Sequence, residues 1–199
     1  MVPTLLDEAK ALVLKGDIDS AMRKCTEFLN GDFFNDECLF MLGNCFMSAN
    51  MNGLAAVVTT AAIEARRARG GGLFPEALLN LGGAYKQERQ NDTAARIWAE
   101  ALKQEMSPRR RSLILTNIGG LYVNEGQPET ALEWCDKALK EDPGNHGAAA
   151  QRERIRQHNS ERDALGFRGA TSGVGQELPR DGGGALRAVD DGGDGLIPF

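Results

Sequence analysis

Residues 113–143 read LILTNIGGLYVNEGQPETALEWCDKALKEDP, and this stretch decides the fold because its small, large and helix-breaking residues follow the spacing of a helical hairpin. Ile118 and Tyr122 lie four positions apart, which places them on one face of a first helix. Gly126 predicts the end of that helix, since glycine accepts the left-handed backbone conformation without steric cost. Pro128 predicts the first turn of a second helix, where a missing N–H is tolerated.

The same pattern recurs along the chain at a spacing of 34, 39 and 37 residues. We expect the extra residues of the two longer intervals to lie in the connections between units. The first unit matches the pattern least, as a terminal unit with only one neighbour can. Three sets of positions carry the recurrence: a small residue where helices cross (Ala9, Gly43, Gly82, Gly119), a large apolar residue three positions later (Leu12, Phe46, Tyr85, Tyr122), and an alanine on the second helix (Ala21, Ala55, Ala94, Ala131).

This pattern resembles the tetratricopeptide repeat, whose period is about 34 residues. The resemblance implies an all-α fold, a right-handed solenoid of about four helical hairpins with a C-terminal capping helix and a disordered tail. We expect the repeat domain to span residues 1–165. Its predicted parts are repeats at about 2–35, 36–74, 75–111 and 112–145, and a capping helix at 147–163.

Several local features refine this expectation. Phe33 and Phe34 are predicted to pack against the second unit, and the glycine run at residues 69–72 is predicted to be a flexible joint. The polar residues predicted to cap helices are Asp17, Asn52, Asp92, Ser107 and Asn145.

The composition changes at residue 166, because ten of the 24 glycines fall in the last 34 residues. Few large apolar groups remain there to offset the entropy of ordering the chain. The sequence therefore predicts a disordered Gly-rich tail at 166–199.

Composition and charge favour a protein that works in the cytoplasm. The net charge of −5 argues against nucleic acid as a partner, and no apolar run is long enough to cross a membrane. The N-terminus has acidic residues where a secretion signal needs a basic stretch. The four cysteines form no CxxC pair and are predicted to be free, buried thiols in a reducing compartment: Cys25, Cys38, Cys45 and Cys135.

No pattern of catalytic or metal-binding residues is found in the sequence. The two histidines, His146 and His158, are far from the cysteines in any repeat arrangement, so no metal site and no cofactor is predicted. Nucleophile, zinc-protease and phosphate-loop motifs are missing as well. We therefore expect a non-enzymatic protein, or a non-catalytic part of a larger enzyme.

The resemblance places a candidate binding surface on the concave side of the stack, which the first helix of each hairpin lines. Asn80 and Asn117 occupy equivalent positions, and an amide can donate to and accept from a peptide backbone at once. This predicts a scaffold that binds a protein or an extended peptide, although asparagine at this position is also simply common in the repeat. The predicted peptide-binding residues are Phe40, Asn44, Met47, Leu79, Asn80, Lys86, Thr116, Asn117 and Asn124.

Other partners were weighed against this one. Repeats of chaperone adaptors that clamp a C-terminal carboxylate use three cations, and the matching positions here, Phe40, Asn44, Asn80, Leu113 and Asn117, contain none. The asparagines are similar to those of repeat modules attached to glycosyltransferases, so the substrate-recognition module of a truncated enzyme of this kind is an alternative. A repeat-type secretion chaperone, similar in length and acidity, is another. The basic residues 109–111 are either a solvated first turn or a local site for an acidic partner. Nothing in the sequence predicts an oligomeric state.

Overall fold

The computed structural model describes residues 4–72 and 74–164, and helices are the only regular elements in these ranges. The predicted disordered tail at 166–199 lies outside the described residues. The helices are α1 (Leu5–Lys15), α2 (Ile18–Leu29), α3 (Asp36–Ser48), α4 (Asn52–Ala68), α5 (Pro75–Gln87), α6 (Asn91–Leu102), α7 (Pro108–Asn124), α8 (Pro128–Glu141) and α9 (His146–Ala164).

These helices form four hairpins that stack in chain order, with α9 packed on the last one. Each helix contacts the next, and the first helices of successive hairpins also touch: α1 with α3, α3 with α5, α5 with α7, and α7 with α9. Successive second helices, such as α2 and α4, have no such contact within the described residues. The first helices therefore line the inner side of a curved stack. This confirms the all-α solenoid with a capping helix.

Small residues allow the two helices of a hairpin to cross closely. A Cβ on Gly82 would lie 2.6 Å from Cε2 and 2.7 Å from Cδ1 of Trp98, whose side chain is fully buried. The indole Nε1 of Trp98 donates to the Leu79 carbonyl at 3.0 Å, so the ring is fixed against α5. At the corresponding crossing in the second hairpin, a Cβ on Gly43 would collide with the hydroxyl of Thr59.

The buried apolar residues form two clusters. One joins the first two hairpins and includes Ala9, Cys25 and Leu42; the other runs from α4 to α9. Three partly buried aromatic residues pack against both clusters: Phe40, Phe46 and Phe74. The rings of Phe40 and Phe74 meet edge to face at 5.1 Å. These rings therefore make the two clusters one continuous core.

Each hairpin turns through a residue with positive φ, always seven positions after the helix-crossing residue. The φ angles are 79° at Gly16, 59° at Asn50, 59° at Arg89 and 72° at Gly126. In each turn the following N–H closes the helix; that of Gln90 donates to the Tyr85 carbonyl at 2.9 Å. Glycine suits this conformation, whereas Arg89 adopts it against the steric clash of its own Cβ.

The expectation that connections contain the extra residues of the longer intervals is wrong. Helix α4 has 17 residues where α2 has 12, which accounts for the 39-residue interval. Helix α7 begins at Pro108, eleven residues before Gly119, whereas α3 and α5 begin seven residues before their crossing glycines. The insertions therefore lengthen helices, because continuing a helix keeps every new N–H and C=O paired.

Two of the five predicted caps are wrong. Asn52 and Asp92 lie inside the first turns of α4 and α6, and neither helix has a side-chain cap. The residue with positive φ in each hairpin turn already directs the chain into the second helix. Helix α4 therefore begins directly after Met51, and α6 begins directly after Gln90. The side chains of Asp17, Ser107 and Asn145 do accept bonds from helix N-termini, as predicted.

The prediction for Phe33 and Phe34 is also wrong, because their side chains are 69% and 70% exposed. The chain there is held instead by ion pairs, in which both terminal nitrogens of Arg69 contact the carboxylates of Asp32 and Asp36. These ion pairs hold the connection between α2 and α3 in place while the two phenylalanine rings stay exposed.

Residues 69–72 form a defined turn, which corrects the prediction of a flexible joint. Arg66 on α4 donates from Nε to the Gly72 carbonyl at 3.1 Å. The backbone of Gly71 passes so close that a Cβ would lie 2.7 Å from Cγ of Arg66. Glycine is therefore needed here for close approach.

All four cysteines are buried and free, as predicted. The Sγ of Cys38 donates to the carbonyl of Cys25 at 3.5 Å. Hydrogen bonding with Cys38 and burial raise the pKa of Cys25 to about 12, and burial raises the pKa of Cys135 to about 11. Both thiols therefore stay protonated at neutral pH.

Within the described residues, no helix is long and apolar enough to cross a bilayer.

Candidate functional site

The candidate site is the inner groove, which we define as the inner faces of α3, α5 and α7 together with the adjoining side of α9. Contacts between neighbouring helices bring the predicted residues to one strip. A Cβ on Gly83 would lie 3.4 Å from Cε of Met47, and a Cβ on Gly120 would lie 2.8 Å from Nζ of Lys86. The two glycines therefore let the ends of Met47 and Lys86, both predicted binding residues, pack closely against the floor of the groove.

Two of the predicted amides bond to each other across the groove floor. The Nδ2 group of Asn80 donates to Oδ1 of Asn44 at 2.5 Å, which ties α5 to α3. The remaining donor of Asn44 and the remaining acceptor of Asn80 stay available. Asn117, at the equivalent position on α7, makes no side-chain hydrogen bond within the described chain and is half-buried. Its whole hydrogen-bonding capacity therefore faces a ligand or water.

Three predicted residues serve the fold as well as the surface. Phe40 packs against both core clusters, and the carbonyl of Leu79 accepts the Trp98 indole N–H. The hydroxyl of Thr116 donates to the Ser112 carbonyl at 2.8 Å. These three side chains shape the groove walls, and the Leu79 carbonyl and the Thr116 hydroxyl are already engaged.

The exposure of the predicted residues separates one of them from the rest. Asn124, in the last turn of α7, is exposed, whereas the other eight predicted residues are half-buried. Half-buried side chains form the floor and walls of a groove, while an exposed one stands at its edge. The structure therefore places Asn124 at the rim.

Lys86 is the only one of the predicted residues with a charge, and its environment is unusual. Its side chain is half-buried and forms no ion pair or hydrogen bond within the described residues. Burial alone lowers the pKa of its ammonium group. A desolvated cation without a partner is energetically costly, so a bound anionic or carbonyl group would stabilise it.

Sequence reasoning missed Gln151 on α9, which reaches the same place. Its side chain is only 8% exposed, and its Nε2 group is buried without a hydrogen-bond partner. A Cβ on Gly120 would lie 3.9 Å from this Nε2. One signal was available: Gln151 lies three positions after Ala148 and four before Ile155, so it is a polar residue on the buried face of the capping helix.

A second polar network attaches the capping helix to the stack. The Nδ2 group of Asn145 donates to Oγ of Ser112 at 2.7 Å and to Oγ1 of Thr116 at 2.9 Å. Its Oδ1 accepts from the Ala148 N–H at 3.0 Å, while the Ser112 hydroxyl donates to the Ala138 carbonyl. This network fixes α9 against α7 and closes one end of the inner groove.

The basic residues 109–111 are largely used inside the protein. Arg110 forms an ion pair with Glu76 at 2.5 Å, and Arg111 donates to the carbonyls of Leu102 and Gln104 at the end of α6. Arg111 thus satisfies carbonyls that the helix end leaves unpaired. Arg109 is exposed and has no partner among the described residues, so it stays available to an acidic partner. Across residues 4–72 and 74–164, no three potential metal ligands lie together.

Comparisons with known proteins identify the same repeat. A family model described as "Tetratricopeptide repeat" matches residues 113–145. Among solved structures, MamA is 21% identical with a TM-score of 0.65, covering 84% of this chain and 92% of that chain. PilF of Pseudomonas aeruginosa is 18% identical with a TM-score of 0.67, covering 87% and 76%.

A further solved structure is YrrB, described as a tetratricopeptide-repeat protein with an unusual peptide-binding site. It is 18% identical with a TM-score of 0.60, covering 80% of this chain and 78% of that chain. At these identities the likeness concerns the fold. No curated protein matches the chain by sequence.

Proposed function

We propose, from the premise that this chain is a tetratricopeptide-repeat protein, that it is a non-enzymatic scaffold that binds an extended segment of another protein in the inner groove. One observation carries the proposal: the groove floor contains half-buried amide groups whose hydrogen bonds the fold does not use. Within the described residues Asn117 makes no side-chain hydrogen bond, and Asn44 and Asn80 each keep one group free.

An extended peptide fits this pattern because its backbone alternates donors and acceptors. A single amide side chain can bond both to a peptide C=O and to a peptide N–H. The flanking apolar atoms of Met47 and the space above Gly83 accommodate small or flexible side chains of a ligand. YrrB, a protein of similar fold, is described as having a peptide-binding site, which supports the proposal. The glycosyltransferase-module and secretion-chaperone alternatives stay predictions from the sequence.

The test begins with a synthetic array of random peptides probed with the full chain, followed by calorimetric titration of the best binder. Replacing Asn117 with alanine removes one or two hydrogen bonds and should weaken binding about twofold at least and about a hundredfold at most. The melting temperature should not change, because this side chain bonds to nothing in the described fold. Asn80→Ala is a less clean variant, since it also strands the Oδ1 group of Asn44.

Asn159→Ala is the matched control, because Asn159 also lacks a side-chain partner but belongs to the far turns of α9. It should leave affinity unchanged. An array that yields no binder, or a peptide whose affinity is the same for the Asn117→Ala variant and the parent, would contradict peptide binding through these amides.

A further inference from the structure

The space above Gly120 is bordered by two hydrogen-bond donors that come from different helices. Lys86 extends from α5, and its Nζ lies 2.8 Å from the position that a Gly120 Cβ would occupy. Gln151 extends from α9, and its Nε2 lies 3.9 Å from the same position. Because glycine has no side chain, Nζ of Lys86 packs directly over Gly120, and the two donors lie on the same part of the groove floor.

Neither donor has an acceptor within the described residues. The Nε2 group of Gln151 is buried and unpaired, and Lys86 forms no ion pair. A buried polar group is nearly always hydrogen-bonded, so the unpaired Nε2 of Gln151, beside the half-buried Nζ of Lys86, indicates a missing acceptor. The two oxygens of one carboxylate can accept from one of these donors each at ordinary hydrogen-bond distances.

The charge of the site selects the kind of acceptor. Lys86 is a cation in a half-buried place, where an anion restores the stabilisation that lost hydration removes. Gln151 adds a neutral donor without adding charge, which suits an acceptor with two oxygens and a single negative charge. A carboxylate has both properties, and peptides have carboxylates on Asp and Glu side chains and at the C-terminus.

We propose that Lys86 and Gln151 form a subsite of the inner groove, above Gly120, that binds a carboxylate of the bound peptide. This inference rests on the proposed function and names the chemistry of its ligand. The residues differ from the positions of the carboxylate clamp of chaperone adaptors, which correspond here to Phe40, Asn44, Asn80, Leu113 and Asn117. The subsite lies instead between the third and fourth hairpins and the capping helix.

The experiment probes the full chain on two random peptide arrays, one with free and one with amidated C-termini. The parent protein should prefer peptides with a carboxylate. Preference for Asp or Glu on both arrays identifies a side-chain carboxylate as the ligand group, whereas binding that disappears on the amidated array identifies the C-terminal one. The best peptide is then titrated against the variants.

Two variants remove the subsite by different means. Lys86→Met removes the charge, and Gly120→Ala places a methyl group 2.8 Å from Nζ and so displaces it without altering any charge. Each should weaken binding of the selected peptide about tenfold or more, and each should abolish the preference for a carboxylate. Lys103→Met is the control, because Lys103 is an exposed lysine paired with Glu100 on α6, outside the groove. It should leave affinity and preference unchanged.

The possible failures are distinguishable. Peptides that bind without any preference for a carboxylate would overturn the subsite and leave the proposed function standing. A preference that survives in both Lys86→Met and Gly120→Ala would also overturn it, since the carboxylate would then bind elsewhere. Arrays without any binder would overturn both proposals.

Discussion

Replacing Gly82 with alanine should destabilise the protein, while the same change at the adjacent Gly83 should not. Both glycines lie inside α5, so each alanine gains about 1 kcal/mol of helix propensity. At Gly82 the new methyl would overlap the ring of Trp98, and displacing a buried side chain in this way costs about 1–3 kcal/mol. Moving the ring also endangers its hydrogen bond to Leu79, which contributes about 1 kcal/mol.

These contributions give a net loss of about 1–3 kcal/mol for Gly82→Ala. The Gly83 methyl meets only the flexible end of Met47 at 3.4 Å, so Gly83→Ala should be neutral or stabilising by up to about 1 kcal/mol. Urea unfolding followed by far-ultraviolet circular dichroism measures both variants. Equal urea midpoints, or a higher midpoint for Gly82→Ala, would refute the close crossing of α5 and α6.

Two further predictions follow from the turns and the buried thiols. Arg89→Gly should raise the free energy of unfolding by about 0.5–1 kcal/mol, because glycine adopts the positive φ at that turn without strain. Glu88→Gly, at a φ of −78°, is the control and should lower the free energy of unfolding. Thermal melting compares the two variants, and a lower melting midpoint for Arg89→Gly than for the parent would contradict the strain at Arg89. Burial raises the pKa of Cys135 to about 11 from 9.0, so the stabilisation from its protonated thiol is complete below pH 9 and is lost as pH rises towards 11. Urea midpoints measured across that range should fall less for Cys135→Ala than for the parent; an identical fall would show that this thiol does not contribute.

The repeat itself could be predicted from the sequence because its geometry depends on a few residues with sharp physical requirements. Gly126 and Pro128 mark a turn that few other residues accept, and Gly82 marks a crossing where a side chain does not fit. Such residues fix local structure almost independently of their neighbours. The hairpins and their order can therefore be predicted from the sequence alone.

The details that were predicted incorrectly depend on contacts between residues that are distant in the sequence. A turn at Asn50 or Arg89 carries no glycine, so its left-handed conformation is imposed by the packing of the two helices that it joins. Phe33 and Phe34 have apolar rings, but Arg69 already holds their connection to Asp32 and Asp36. The preference of a single residue type therefore does not predict which of two competing contacts forms.

The candidate groove shows the same limit. The sequence placed Asn80 and Asn117 on the inner face, because that follows from helical periodicity. It gave no sign that Asn80 bonds to Asn44, since that contact depends on the exact offset of α5 against α3. Gln151 was missed because its place beside Gly119 and Gly120 is defined only when the capping helix docks on α7.

The division of the core into two clusters has a consequence for how the protein opens in solution. Helices α1 and α2 contribute to the first cluster alone, and their contacts extend no further than α3. In a stack where each unit depends on its neighbours, the end with least support unfolds first. Amide hydrogens of the first hairpin should therefore exchange with deuterium sooner than those of α5 to α8. Unfolding of the first hairpin would leave the inner groove between Asn44 and Gln151 assembled. Ligand binding and local unfolding of the N-terminal end would therefore be independent of each other.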